Sequence, residues 1–199
     1  VSCLSTCTML KAILGLGLAG TASMGALISV AATAEAKPAV MSETIRVGEV
    51  KAAQDTWCGA LVAISTAHAE GGLAKSKPLS SDIIDAAYAY QFGPVAFKPT
   101  WAYGDTTFRT TKDGALSYFI GHNEDFPQDS GFGLKSWRQV DCGAGTSLIE
   151  GDVALWMGNV TFTNNLGEQT VVDKSWGYKQ DAEGQLRIVL HHSSLPYEA

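Results

Sequence analysis

Charged side chains are scarce in this sequence, and so are the residues from which most enzyme sites are built. Only 17% of its 199 residues are Asp, Glu, Lys or Arg, with four histidines and four cysteines. Beyond residue 36 there is no Gly-rich phosphate loop, no Gly-x-Ser-x-Gly elbow, no His-Glu-x-x-His and no paired Cys-x-x-Cys. These absences exclude a P-loop nucleotide site, an α/β-hydrolase nucleophile, a zincin site and a structural zinc knot. Basic residues are in deficit, 14 against 20 acidic ones, for a formal net charge of −6. Such a surface opposes nucleic acid, and no basic amphipathic stretch is present to hold a membrane.

Long apolar runs are missing too, with one exception. Residues 10–34 are Ala, Gly, Leu, Ile, Val, Ser, Thr and Met with Lys11 as the only charge, followed by Ala34-Glu35-Ala36. An apolar run ending in a small-x-small triplet predicts a cleaved signal peptide over residues 1–36 and a mature chain from Lys37, with a retained membrane anchor as the competing reading of its length. Export to the periplasm or outside the cell follows, or to an organelle lumen in a eukaryote. Met9-Leu10-Lys11 is the natural-looking start of that segment, and residues 1–8 add nothing recognisable. Only Cys58 and Cys142 then belong to the mature chain, and two cysteines in an oxidising compartment can pair. Cys58 falls in a predicted helix and Cys142 at a strand end; their spacing does not say whether they meet or stay apart as buried thiols.

A mature part of residues 37–199 is the size of one domain. In residues 42–69 the apolar positions Val50, Ala53, Trp57, Leu61 and Ile64 recur at helical spacing, and Gly71-Gly72 supplies a stop. After a loop at residues 75–80, Ser81 caps a second helix whose apolar side is Ile83, Ile84, Ala87 and Tyr88. Short strands are predicted at 92–100 and 106–110, then a third helix capped by Thr111, with Asp113 near its positive end and Gly121 closing it. From Gly131 onward only strand patterns remain, at 133–142, 152–163, 169–179 and 185–194. Turn chemistry joins the later ones at Asn164-Asn165-Leu166-Gly167 and Asp181-Ala182-Glu183-Gly184. Helices followed by a long antiparallel meander make an α+β fold, a curved sheet wrapped around helices. The order is similar to the cone of nuclear transport factor 2, the SnoaL cyclases and the association domain of calmodulin-dependent kinase. Leu155 and Met157 on one face of a late strand, opposite Trp156 and Val160, suit a homodimer through the outer face.

The histidines are His68, His122 and the pair His191-His192. Neighbours on a regular strand point to opposite faces, so the pair cannot serve one metal. A three-histidine zinc site would need His68, His122 and one of the pair, and no spacing recommends it. Lys98 reads as a solvated strand residue, Asp173 and Lys174 as an exposed pair, and the five tryptophans as core or dimer packing. Asn159-Val160-Thr161 is a glycosylation acceptor if the source is eukaryotic. The last strand ends in four polar residues, His191-His192-Ser193-Ser194, before Leu195-Pro196-Tyr197. On residues alone this is either a strand leaving the core or a site.

His-His-Ser-Ser-Leu-Pro-Tyr at the C-terminus resembles the ending of the iota-class carbonic anhydrases, which use this cone. The resemblance extends to Trp57-Cys58-Gly59, Phe97-Lys98-Pro99-Thr100, residues 115–121, Gly151-Asp152-Val153-Ala154 and Asp173-Lys174-Ser175-Trp176-Gly177, covering about residue 43 to the end. It implies reversible hydration of carbon dioxide to bicarbonate, with Thr100, Tyr118, His191 and Ser193 as catalytic residues. Thr100, Tyr118 and Ser193 would bind substrate, and no metal or other cofactor is implied, zinc and manganese being left open. Strand parity offers His192 with Ser194 as the other choice, because Ile188 and Leu190 share their face; a bulge would reconcile the sequence with His191 and Ser193. Thr, Ser and Tyr hydroxyls both accept from a water and donate to an oxyanion, and His191, with an ordinary pKa of about 6.5, would complete the network and shuttle protons. The rival readings are a non-enzymatic, dimerising association or ligand-binding module, and a cyclase or steroid-isomerase relative. The latter would want an Asp or Glu base in a roomy apolar pocket.

Overall fold

The computed structural model describes residues 44–198; the signal-peptide segment and its cleavage site lie outside them. Helix α1 spans Val47–Ala87 and is two helical segments joined by a kink, with non-helical backbone at Gly71 and Gly72. Gly72 has φ 59°, a conformation that a residue without Cβ adopts at little cost. The stop predicted at Gly71-Gly72 is therefore a corner, and the predicted loop at 75–80 is helical. Ser76 and Ser80 are buried and turn their hydroxyls onto the carbonyls of Gly72 and Ser76, so polar residues fit a packed helix face. Helix α2, Lys112–Ile120, starts as expected: the Thr111 hydroxyl accepts from Gly114 N at 3.2 Å, and Gly121 ends it at φ 63°.

Five strands form one sheet in the order β1-β5-β4-β3-β2: β1 Ala96–Lys98, β2 Trp137–Glu150, β3 Val153–Asn164, β4 Gln169–Gln180 and β5 Leu186–Ser194. β2 to β5 form an antiparallel meander, and β1 pairs with β5 in parallel. The predicted strand at 92–100 shrinks to three residues, and 106–110 is not a strand. A 3-10 turn at Gly104–Thr106 leads instead to Arg109, whose N–H donates to the Phe97 carbonyl. β2 starts later and runs further than expected, through Cys142 to Glu150, because two irregularities let it stay paired with β3 while bending. At the second, Gly145 and Gly158 make room for Trp156: a Cβ on Gly158 would stand 2.7 Å from its indole.

The concave face of the sheet and α1 enclose an aromatic core, with Trp57 at its centre in edge contact with Phe119, Phe162 and Trp176. Cys58 on α1 and Cys142 on β2 form a disulfide, Cα atoms 6.4 Å apart, which resolves the question their spacing left open. The outer face carries exposed Leu148, Leu155, Met157 and Val171. Among the described residues no helix is long and apolar enough to cross a membrane.

Candidate functional site

The end of β5 decides what this cone can do, and a bulge decides which residues face inward. Across β4, Gly177 pairs with Leu190 but Tyr178 with Ile188, so Val189 is an extra residue. Parity shifts there. Ile188, His191 and Ser193 are buried, and His192 turns outward. Strict alternation from Ile188 would have pointed His192 inward.

His191 lies in an aromatic box. Phe97, its partner across β1, stacks on it with centroids 4.4 Å apart, and Trp57 meets it edge-on at 5.4 Å. Both ring nitrogens are engaged. The Trp57 indole N–H donates to the Tyr88 hydroxyl at 3.0 Å, and that hydroxyl is 2.8 Å from His191 Nδ1. On the other side Nε2 is 2.9 Å from Lys174 Nζ and 3.3 Å from Ser193 Oγ. Burial, then the neighbouring Lys174 and His192, hold His191 well below its ordinary value. At neutral pH it is therefore an uncharged, oriented ring, which corrects the expectation of a shuttle titrating near its ordinary pKa.

Lys174 was missed as a site residue. It was expected to be exposed beside Asp173, yet only Asp173 is, accepting from Asn159 Nδ2 at 2.8 Å. Lys174 is 3% exposed, with its Nζ 4.3 Å from the Trp57 ring centroid and 5.0 Å from that of Trp176. The signal was present: Val172, Lys174 and Trp176 alternate along β4, and period two places all three on the inner face. Burial drives its pKa well below the usual lysine range. Tyr88 was assigned only to an apolar helix face; that its hydroxyl meets His191, 103 residues away, no local pattern reveals.

Thr100, Tyr118, His191 and Ser193 come together around one small cavity, walled by Trp57, Phe97, Pro99, Phe119 and Phe132 and with Lys174 on its lining. It measures about 10 Å³ for a water's centre, the scale of one water, within about 180 Å³ of empty space counted out to its mouth. The Tyr118 hydroxyl is buried without a hydrogen-bond partner; the Thr100 side chain and the backbone of Thr100 and Trp101 are its polar neighbours. Desolvation pushes its pKa up, against a weaker opposite pull from Thr100, so it is a neutral donor. Tyr118 is held by α2, which is anchored from below by Asp129: its carboxylate takes both terminal nitrogens of buried Arg109, at 2.6 and 2.8 Å, and the Ser117 hydroxyl at 2.6 Å. Lys98 is half-buried rather than solvated, and its Nζ donates to the Ser193 carbonyl at 3.0 Å, clamping the end of β5. A roomier depression of about 520 Å³ between α1 and the β4–β5 turn holds none of the four predicted residues.

His68 faces Ser76 across the kink, and His122 is exposed after α2, so neither approaches the cavity. Among the described residues no group of three or more His, Cys, Asp or Glu is placed to hold a metal ion. The chemistry available is therefore that of hydroxyls, one neutral imidazole and one desolvated amine around a space for a very small molecule.

Comparison with known proteins gives the family and the fold. Residues 48–195 match the family model described as metal-independent carbonic anhydrase. A metal-independent carbonic anhydrase from a Nostoc species is 50% identical over 169 residues, covering 85% of this chain and 82% of that protein. The crystal structure of a cyanobacterial iota-carbonic anhydrase complexed with bicarbonate superposes with a TM-score of 0.79 at 50% identity, over 82% of this chain and all of that one. An association domain of calcium/calmodulin-dependent kinase type from Xanthomonas campestris shares the fold alone, with a TM-score of 0.51 at 20% identity, over 80% of this chain and 98% of its own.

Proposed function

This chain belongs to the metal-independent carbonic anhydrase family, and from that premise we propose that it hydrates carbon dioxide reversibly to bicarbonate in the cavity of Thr100, Tyr118, His191 and Ser193. The observation that carries the reading is the convergence of the Thr100, Tyr118 and Ser193 hydroxyls with His191 on one small cavity. A buried donor without a well-formed hydrogen bond is costly, and Tyr118 stands near Thr100 in a cavity whose lining also carries Ser193, His191 and Lys174 among aromatic walls. A linear apolar molecule enters such a space at little cost. As water adds to its carbon, negative charge develops on its oxygens, and the hydroxyls of Tyr118, Thr100 and Ser193 are donors preorganised to receive it. His191, fixed at Nδ1 by Tyr88, sets the orientation of Ser193 through Nε2. No step in this scheme requires a metal.

The surroundings of the enzyme belong to the same proposal. Export of the mature chain to the periplasm, cell exterior or an organelle lumen is supported by the Cys58–Cys142 bridge, since disulfides persist in oxidising compartments. A homodimer through the outer sheet face is supported by exposed Leu148, Leu155, Met157 and Val171, side chains that a monomer would leave in water.

Stopped-flow hydration of carbon dioxide by the purified chain, before and after exhaustive chelation with elemental analysis, tests the reading. Activity that survives metal removal is expected. Activity lost on chelation and restored by zinc or manganese would overturn the metal-free mechanism, and no activity in either state would favour a non-enzymatic association module.

A further inference from the structure

The reaction releases a proton, and the scheme above gives it no lasting acceptor, because burial makes the His191 ring too weak a base to keep one. Lys174 is the one amine on the cavity lining. Among the described residues no Asp or Glu pairs with it. The ionisable groups facing it are His191 and, further off, His192 on β5; Tyr88 just after α1, Tyr118 on α2 and Lys98 on β1 border the same cluster, and none of them supplies a negative charge at neutral pH.

The hydrogen bonds around that amine are compatible with an uncharged state. Tyr88 Oη accepts from the Trp57 indole, so its own hydrogen is free for His191 Nδ1. With the Tyr88 hydroxyl donating to Nδ1, Nε2 carries the ring proton and at 2.9 Å is placed to donate to Lys174 Nζ as an uncharged amine; in the other tautomer Nε2 would accept from a Lys174 ammonium. A second acceptor for that proton stands ready, Ser193 Oγ at 3.3 Å from Nε2.

We propose that Lys174 is the base of the reaction: its amine takes the proton of the attacking water, and the resulting ammonium holds the bicarbonate. This rests on the carbonic anhydrase reading. The balance closes without a further reactant. One O–H bond of water breaks as its oxygen bonds to carbon, a C=O electron pair moves onto oxygen, and the proton ends on Nζ. His191 Nε2–H then turns from Lys174 to Ser193. The ammonium and bicarbonate form a neutral pair where neither ion alone would be stable. Departure of bicarbonate leaves the ammonium unpaired, and it loses its proton to bulk buffer.

Two measurements test this. In the ¹⁵N-lysine-labelled wild type, the Lys174 Nζ resonance, identified by its contacts with the His191 and Trp57 rings, is expected to be an amine at neutral pH and to become an ammonium when bicarbonate is added. An ammonium throughout, an amine that ignores saturating bicarbonate, or a carbamate carbon on Lys174 from ¹³C-bicarbonate would overturn the proposal. In stopped-flow kinetics Lys174→Met is expected to lower kcat for hydration by roughly a hundredfold or more, the usual loss for an acid–base group, and to abolish the fall in rate toward low pH. A folded Lys174→Met as active as wild type overturns the Lys174 assignment alone, whereas a wild type that neither hydrates carbon dioxide nor binds bicarbonate overturns both readings.

Discussion

Tyr118 supplies a side-chain donor whose loss leaves the packing intact. Tyr118→Phe keeps the ring stacked on Phe132, with centroids 5.4 Å apart, and removes only the oxygen. Hydration is expected to fall by about a hundredfold to a thousandfold, the usual loss of one oxyanion donor, with circular dichroism unchanged. Ser193→Ala and Thr100→Ala should lose less, and Ser194→Ala little, because Ser194 faces away from the cavity. Loss in Ser194→Ala without loss in Ser193→Ala would contradict the inward register. Lys174 carries a cost to the fold that its function explains. Its folded pKa lies below the ordinary value of about 10.4, so between the two the unfolded chain binds a proton that the folded chain does not. Stability therefore rises with pH through that window and is lost as pH falls toward the folded value. Lys174→Met should raise the melting temperature, most at neutral and acid pH and least near pH 10, a trade of activity for stability read by calorimetry across pH.

At the scale of elements, two connections hold the site in shape. The disulfide closes a loop of 84 residues between α1 and β2, and by chain entropy a loop of that length is worth up to about 4.5 kcal/mol. Cys58→Ser with Cys142→Ser should lower the denaturant midpoint accordingly while leaving activity below the melting point intact, since neither sulfur lines the cavity. The Arg109–Asp129 pair is different because it lies under α2 and Tyr118. Both side chains are at most 3% exposed, and Asp129→Ala leaves a buried guanidinium uncompensated, at about 3–5 kcal/mol. Denaturation and kinetics should both register it, because α2 loses the anchor of Ser117 next to Tyr118.

For the whole molecule, the curved sheet presents two different faces, one closed by α1 and one open. Leu155 and Met157 are 46% and 65% exposed on strand β3, whose inward neighbours Ala154 and Trp156 are buried. Light scattering on residues 37–199 should give twice the mass of that segment, and Leu155→Glu with Met157→Lys should give a monomer that still folds. A monomer in the wild type would remove the dimer.

The meander, its two tight turns, the Thr111 cap and the inward stripe of α1 could be read from the sequence, because periodicity, capping and turn chemistry act over a few residues. The four candidate residues were legible through a resemblance, and the choice of His191 over His192 stayed against simple parity until the extra residue Val189 shifted it. Helix through Lys75 to Ser80 was hidden because burial, which local composition does not report, overrode loop-like residues. Tertiary structure alone decided that Cys58 meets Cys142, that Tyr88 reaches His191 from just beyond α1, and that Lys174 loses its water. All three depend on segments 84, 103 and 17 residues apart being brought to one place, and it is the removal of solvent there that lowers the pKa of an ordinary lysine.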